Sequence, residues 1–338
     1  MAVNIGIMGL GFMGKTHFNT YNKIKGARVT AIADVDARKL SGDWSSISGN
    51  INTESQRVDL SGIHLYEDAA EMLKDPAVDV ADITLPTYLH ARWAIRAMES
   101  GRHVICEKPM ALNSIEGASM LDASRSTRRL LFIAQCIRFW PAYAKTRELV
   151  RGGRFGKVVS AVFTRVSPRP TWSWQHFLED PRKCGSCALD LHIHDADFVL
   201  HLLGDPRSVL SRAAVNEKYG MDHITTFYEY DPGTLVQAEG AWEYNPSFPF
   251  AMTFRIAMER INLLFDGQEL MLCPAKGKAK RVAIAQGDGY FHELEHFVEC
   301  ISRKRSSPLV KPESALRSVQ LIEAEIKSAR SGRAVRFK

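Results

Sequence analysis

The chain has 338 residues, 45% hydrophobic and 24% charged, an ordinary globular balance that excludes a disordered, coiled-coil or collagen-like chain and, at roughly 150 residues per domain, implies about two domains with room for a cleft. Its 44 Lys and Arg against 38 Asp and Glu leave a net charge of +6. The basic residues are dispersed, and the denser runs at Lys276–Arg281 and Arg303–Arg305 accompany no nucleic-acid motif, so no nucleic-acid partner is expected.

The first apolar run, Val3–Met8, ends at Gly9 and reads as a buried parallel strand. A helical segment follows from about Gly14 to Lys23, then a strand at Val29–Ala33. Further strands are expected at Val80–Leu85, His103–Cys106 and Leu131–Ala134, with helices around Ala69–Lys74, Ala91–Ser100 and Ile115–Arg125. This alternation predicts a doubly wound parallel sheet covered by helices on both faces. Ser41–Gly62 lacks periodicity and reads as a long surface loop.

Beyond residue 135 the pattern changes. Strands at Val158–Thr164, Ile224–Tyr230, Leu235–Ala241, Phe250–Met258 and Ile261–Phe265 are accompanied by helices at about Leu189–Leu203, Tyr290–Ser302 and Ser314–Arg330. Asp231-Pro232-Gly233 signals a hairpin. The expectation is a parallel α/β domain over 1–135 and an α+β domain with a large, mainly antiparallel open sheet over 136–338. No run approaches the roughly 18 apolar residues of a membrane span. The opening MAVNIGIMGLGFMG has no basic segment ahead of an apolar run, so a cytoplasmic protein without a membrane partner is expected. Six cysteines in this length suggest no disulfide framework. Cys184-Gly185-Ser186-Cys187 has no second pair and reads as a small-residue turn rather than a redox or zinc motif.

Gly9-Leu10-Gly11-Phe12-Met13-Gly14 is a GxGxxG loop between a predicted strand and a predicted helix. In that context Gly9 permits the tight turn, Gly11 lets backbone approach a pyrophosphate, and Gly14 lets helix and sheet pack closely. Asp34 stands 20 residues after Gly14, at the end of the second strand, where a carboxylate accepts both ribose hydroxyls. A 2′-phosphate would be repelled there, so NAD is expected over NADP, with Arg38 one turn further on as the residue that could accommodate a phosphate.

Glu107-Lys108-Pro109 follows a strand at the carboxyl edge of that sheet, where ligands of doubly wound folds bind. In Asp190-Leu191-His192-Ile193-His194-Asp195-Ala196-Asp197, Asp190 and His194 share a helix face and His192 points elsewhere. An aspartate beside a histidine sets the imidazole's tautomer and raises its basicity. A metal site using His192, His194 and Asp197 is the competing reading, disfavoured because positions two apart on a helix diverge.

Together these segments resemble the Gfo/Idh/MocA family, the glucose–fructose oxidoreductase and inositol dehydrogenase group, over essentially the whole chain. The resemblance rests on the glycine loop, Ala33-Asp34, Leu85-Pro86-Thr87-Tyr88-Leu89-His90, Glu107-Lys108-Pro109, Arg138-Phe139 and Asp190 through His194. It implies a Rossmann domain, a sheet domain bearing the substrate site, and a homodimer or homotetramer built through those sheets. It also implies an NAD(P)-dependent oxidoreductase acting on a secondary alcohol of a sugar or cyclitol, with Lys108, Asp190 and His194 as catalytic residues. The expected cofactor contacts are Gly9, Gly11, Phe12, Met13, Gly14, Asp34, Arg38, Leu85, Pro86, His90, Glu107 and Lys108. Arg165, Trp172 and Trp174 are expected at the substrate beside the catalytic three, with no metal. The alternatives are an NAD-dependent glycoside hydrolase or lyase using transient oxidation, and a non-catalytic cofactor-binding regulator.

Overall fold

The computed structural model describes residues 2–49, 57–230 and 233–338. It forms two units: unit 1 is Met1–Cys136, Pro170–Leu178 and Tyr290–Leu316, and unit 2 is Ile137–Arg169, Glu179–Gly289 and Arg317–Lys338.

In unit 1 the apolar runs become β1 (Val3–Met8), β2 (Ala27–Ala33), β3 (His64–Tyr66), β4 (Val80–Ile83), β5 (His103–Glu107) and β6 (Leu131–Ala134). All pair in parallel, in the order β3-β2-β1-β4-β5-β6. Every residue of β4 and β6 is buried, as strands covered on both faces must be. The helices are α1 (Phe12–Tyr21), α2 (Ala37–Leu40), α3 (Ala69–Met72), α4 (His90–Glu99) and α5 (Ser114–Thr127). Asp36, Asp68 and Asn113 cap α2, α3 and α5 with their side chains. The strand order reverses between β1 and β4, which makes their carboxyl ends the ligand crevice of this fold type. The expected loop after β2 is anchored at its start: Trp44 is fully buried, donates to the Lys39 carbonyl at 2.9 Å and meets Phe18 edge-on at 5.0 Å. Its segment 50–56 lies outside the described residues.

In unit 2 the strands are β7 (Val158–Pro168), β8 (Ser208–Asn216), β9 (Gly220–Glu229), β10 (Leu235–Tyr244), β11 (Ala251–Met258), β12 (Ile261–Phe265), β13 (Leu270–Pro274), β14 (Lys280–Arg281) and β15 (Val335–Arg336). Their order is β14-β13-β12-β11-β7-β10-β9-β8-β15, antiparallel throughout except for the central parallel pair β7 and β10. Asp231 and Pro232 of the expected hairpin lie outside the described residues. The flanking strands pair antiparallel, Leu235 opposite Glu229. The remaining helices of the chain are α6 (Pro141–Arg151), α7 (Pro181–Cys184), α8 (Ser186–Asp190), α9 (Ile193–Leu203), α10 (Gly289–Ser302) and α11 (Pro312–Ser331).

One face of this sheet is packed by an aromatic cluster in which Tyr143 meets Phe198 at 4.8 Å and Phe254 at 4.9 Å, with Phe163 5.8 Å from Phe198. On the other face, register places Leu210, Phe227, Gln237, Val162, Arg255 and Leu264 in one row across six strands. No helix among the described residues is long and apolar enough to cross a membrane.

Candidate active site

The glycine loop takes the form its spacing requires. Gly9 has φ +94° and donates its N–H to the Ala33 carbonyl at 2.8 Å. A side chain at Gly14 would run into the Gly9 carbonyl, whereas one at Gly11 would point into open space. Gly11 is also the N-cap of α1, whose first turn holds no acidic side chain. An uncapped helix start with open space before it is suited to an anion. Thr84 fixes the loop from β4, its hydroxyl bonding the Gly9 carbonyl at 2.7 Å. Phe12 is buried and lies edge-on to Trp172 at 5.1 Å and 61°.

Asp34 is almost buried at 9% exposure. Its Oδ2 accepts the Leu10 N–H at 2.6 Å and its Oδ1 the Asp36 N–H at 2.8 Å. One lone pair remains on each oxygen, which is what two ribose hydroxyls require. The neighbouring cation is Lys39, buried, with Nζ 3.5 Å from Asp34 Oδ2.

At the end of β5, Glu107 and Pro109 are buried and Lys108 between them is half-buried, across a cis Lys108–Pro109 peptide. His90 joins the two neighbouring turns, with Nε2 2.8 Å from the Leu85 carbonyl and Nδ1 2.8 Å from the Pro109 carbonyl. Burial pulls its pKa down against those two carbonyls. Leu85 and Pro86 are thereby held beside the glycine loop, where a Gly9 side chain would meet the Leu85 methyl at 3.0 Å.

In unit 2 the expected continuous helix over Leu189–Leu203 is interrupted. α8 ends at Asp190, α9 begins at Ile193, and the N–H groups of Leu191 and His192 both point to the Cys187 carbonyl, at 3.0 and 2.9 Å. Asp190 and His194 therefore belong to two helices joined by a wide turn. Between Ser186 and Leu200 these two residues alone retain partial exposure. The side chains around them are engaged inward. His192 Nε2 lies 2.8 Å from Glu325, Asp195 takes Arg165 at 2.7 and 3.1 Å, and Asp197 takes Arg138 at 2.8 and 2.6 Å together with the Ser318 hydroxyl at 2.6 Å. His192 and Asp197 are thus directed away from a shared ligand, and no three His, Cys, Asp or Glu among the described residues are grouped to hold a metal ion. Cys184 and Cys187 are buried. Burial, then the Asp190 charge, pushes the Cys184 thiol up to about 12 and raises Cys187 as well.

Comparison with known proteins decides the family. Residues 3–135 match the oxidoreductase family with an NAD-binding Rossmann fold, and residues 143–262 match the GFO/IDH/MocA C-terminal domain. The chain belongs to the Gfo/Idh/MocA family. Among its relatives, scyllo-inositol 2-dehydrogenase (NAD(+)) of Bacillus subtilis is 28% identical over 99% of this chain and 96% of its own length. D-xylose 1-dehydrogenase (NADP(+)) 2 of Haloferax volcanii is 26% identical over 80% of this chain and 84% of its own. A levoglucosan dehydrogenase solved with NADH and levoglucosan superposes with a TM-score of 0.84 at 22% identity, covering 99% of both chains.

For this Gfo/Idh/MocA protein the residues fit the family's dinucleotide: open space at Gly11, an uncapped α1 start, and lone pairs on Asp34. Arg38 departs from its expected place. It points outward, 67% exposed, and pairs with Asp43 at 3.2 Å, while Lys39 stands by Asp34. The phase is set by Asp36, whose cap starts α2 and turns position 39 inward. Arg165 is 2% exposed and engaged with Asp195 and Tyr143, so it supports the helix that carries His194. Trp172 lies in the unit 1 segment against Phe12. Trp174 is half-buried at the start of a short turn in which Gln175 and His176 have φ of 46° and 53°. Thr84 and Lys39 are the residues that sequence reasoning missed.

Proposed function

We propose that this protein is a dehydrogenase that moves hydride between a ring hydroxyl carbon of a sugar or cyclitol and NAD. The observation that carries this reading is the selective exposure of Asp190 and His194 in an otherwise buried stretch, in a chain whose first strand ends in a GxGxxG loop. The names of its relatives, an inositol and a xylose dehydrogenase, supply the substrate class. When bound, the nicotinamide supplies the hydride acceptor. The glycine loop, α1 and Asp34 hold the dinucleotide. His194, steadied by Asp190, takes the hydroxyl proton as general base, and Lys108 donates a hydrogen bond to the reacting oxygen and stabilises its growing negative charge. Trp172 and Trp174 offer ring faces to the apolar side of a sugar.

Two further features belong to this proposal. The row Leu210, Phe227, Gln237, Val162, Arg255 and Leu264 carries exposed apolar side chains at Leu210 (38%), Phe227 (44%) and Leu264 (45%), which suits a homodimer or homotetramer joined through the sheet. Light scattering of wild type and Phe227→Lys tests it. No disulfide joins the cysteines among the described residues, which suits the reducing cytoplasm.

The test of activity is incubation with NAD and a panel of inositols, aldoses, uronates and anhydrosugars. A dehydrogenase accumulates NADH with one class of ring. Release of a free sugar from a glycoside without NADH would favour cleavage by transient oxidation, and no turnover with any member would favour a regulator.

A further inference from the structure

α1 begins at the glycine loop and carries His17 on its inner side. The ring is wholly buried. Its Nδ1 lies 2.8 Å from Asp82 Oδ2 on β4, and its Nε2 lies 3.2 Å from Glu107 Oε1 at the end of β5. Both carboxylates are buried, at 0% and 5% exposure. The other Glu107 oxygen accepts the Lys108 backbone N–H at 3.0 Å. A neutral imidazole carries one N–H and would leave a lone pair facing the second carboxylate, so two ionised carboxylates on the two nitrogens favour the doubly protonated ring. Burial opposes that charge, but Asp82 and then Glu107 outweigh it and hold the His17 pKa at about 10. Tyr21, one turn along α1, packs edge-on to the ring at 6.2 Å.

We propose that His17 is a positioning residue for Lys108: its ring ties Glu107 to Asp82 and to α1, and Glu107 in turn fixes the peptide that carries the lysine. The same helix presents the phosphate-binding loop, so the dinucleotide mount and the lysine turn share one rigid support. Stability alone is a weak explanation for this arrangement, because a buried group of charges is commonly matched or exceeded in stability by apolar side chains of similar volume. A geometric role explains why the charges converge on the residue preceding Lys108. The inference rests on the reading of Lys108 as the group that bonds the reacting oxygen.

The experiment compares His17→Gln, Glu107→Gln and the double variant in the full-length protein, using the sugar that the panel identifies. A small misplacement of a catalytic group costs up to about 100-fold, so His17→Gln is expected to lower kcat by roughly 10- to 100-fold while KM and the Kd for NAD stay within about threefold. If His17 acts through Glu107, the double variant is no slower than Glu107→Gln. Hydrogen exchange of the cofactor-free protein, read by mass spectrometry, should rise in the peptide spanning Lys108. An unchanged kcat in His17→Gln, losses that multiply in the double variant, or a loss of kcat with unchanged exchange would overturn the proposal. Should His17→Gln fail to fold, nitrogen NMR of histidine-labelled wild type decides: both ring nitrogens of His17 must be protonated at about pH 8, well above an ordinary histidine's titration, and a neutral ring overturns the proposal. Lys108→Met separates the two layers. Full turnover in that variant sinks the catalytic reading itself, whereas an inactive Lys108→Met beside a fully active His17→Gln sinks only the inference about His17.

Discussion

On the proposed reading Asp34 sets the dinucleotide preference, and replacing it should shift that preference by a calculable amount. Each carboxylate oxygen already accepts one backbone N–H, from Asp36 and Leu10, and offers one remaining lone pair to a ribose hydroxyl. Hydrogen bonds to a charged group contribute about 1.5–3 kcal/mol each. Losing two in Asp34→Ala is therefore about 3 kcal/mol at the low end, or roughly 100-fold in the Kd for NAD, at 1.4 kcal/mol per tenfold. Asp34→Asn keeps an acceptor oxygen and loses the charge, so about tenfold is expected from one such bond. NADP behaves differently. Removing the carboxylate relieves repulsion of the 2′-phosphate and releases Lys39, whose Nζ lies 3.5 Å from Oδ2, as a cation for that phosphate.

The 3′-hydroxyl bond is lost by both dinucleotides, so the ratio of the two dissociation constants, measured by titration calorimetry, should move toward NADP by at least about tenfold in Asp34→Ala, from the 2′-hydroxyl bond alone. Adding Lys39→Gln should take back the gain for NADP and leave the loss for NAD. Thermal melting controls for the Leu10 N–H that loses its acceptor at the base of the loop. A folded Asp34→Ala protein with an unchanged NAD to NADP ratio would refute the assignment of the ribose contact to this carboxylate.

Four other outcomes are expected. His194→Asn and Lys108→Met should each lower kcat by about 10²–10⁴-fold, as loss of an acid–base group does, with the Kd for NAD little changed; turnover near wild type in either removes that residue from the mechanism. Arg138→Met leaves Asp197 buried without its cation and should cost about 3–5 kcal/mol in urea unfolding, and a midpoint equal to wild type would show that the pair does not hold the fold. Cys184 and Cys187, their thiols raised by burial, should resist a thiol reagent at neutral pH until the protein unfolds, since the thiolate is the nucleophile; rapid native labelling of this pair would contradict their burial. His17 binds its proton more tightly when folded, with its pKa moved from 6.5 to about 10. Its stabilisation is therefore complete below 6.5 and lost as pH rises through about 10. The stability difference between wild type and His17→Gln should narrow over that window, and a difference that stays flat to pH 10 would contradict the charged ring.

Features dictated by a ligand or by full burial were legible in the sequence, and features dictated by partners far along the chain were not. The glycine loop was readable because phosphate approach constrains Gly9, Gly11 and Gly14 to a fixed spacing. β1, β4, β5 and β6 were readable because two-sided burial makes them mainly apolar runs. β3 is an edge strand of three residues with two exposed, and β8 loses its alternation after Ser211, so neither offers a period. Arg165 was expected at the substrate because it follows the Val158–Thr164 strand on the way to the Asp190 stretch and an arginine suits a carboxylate. Its inward direction was present in the alternation Ala161, Phe163, Arg165, which shares one face of β7. The Asp190–His194 spacing indicated one helix; the break between them is accompanied by tertiary bonds to Glu325, Arg165 and Arg138 that no local pattern contains. The return of 170–178 and 290–316 to the first unit has no mark in sequence either, because it depends on contacts rather than on composition.

Those tertiary bonds bear on how the proposed base, beside a short irregular turn, is held in place. His194 is partly exposed in the first turn of α9, just after the break between two helices, where backbone freedom would ordinarily be greatest. Its neighbours at positions 192, 195 and 197 are each tied by a buried partner: Glu325, Arg165 and Arg138. Buried ion pairs contribute little net stability, because desolvation offsets most of their attraction. Their effect is directional, since a bidentate guanidinium fixes the plane of the carboxylate it grips, and two such grips lie one and three residues from His194. Removing either arginine should therefore displace the imidazole even in a protein that remains folded. Arg165→Met, with Tyr143 left to fill the space, separates the two effects: kcat should fall with KM unchanged, and a variant that loses stability while keeping kcat would show that the pair serves the core alone.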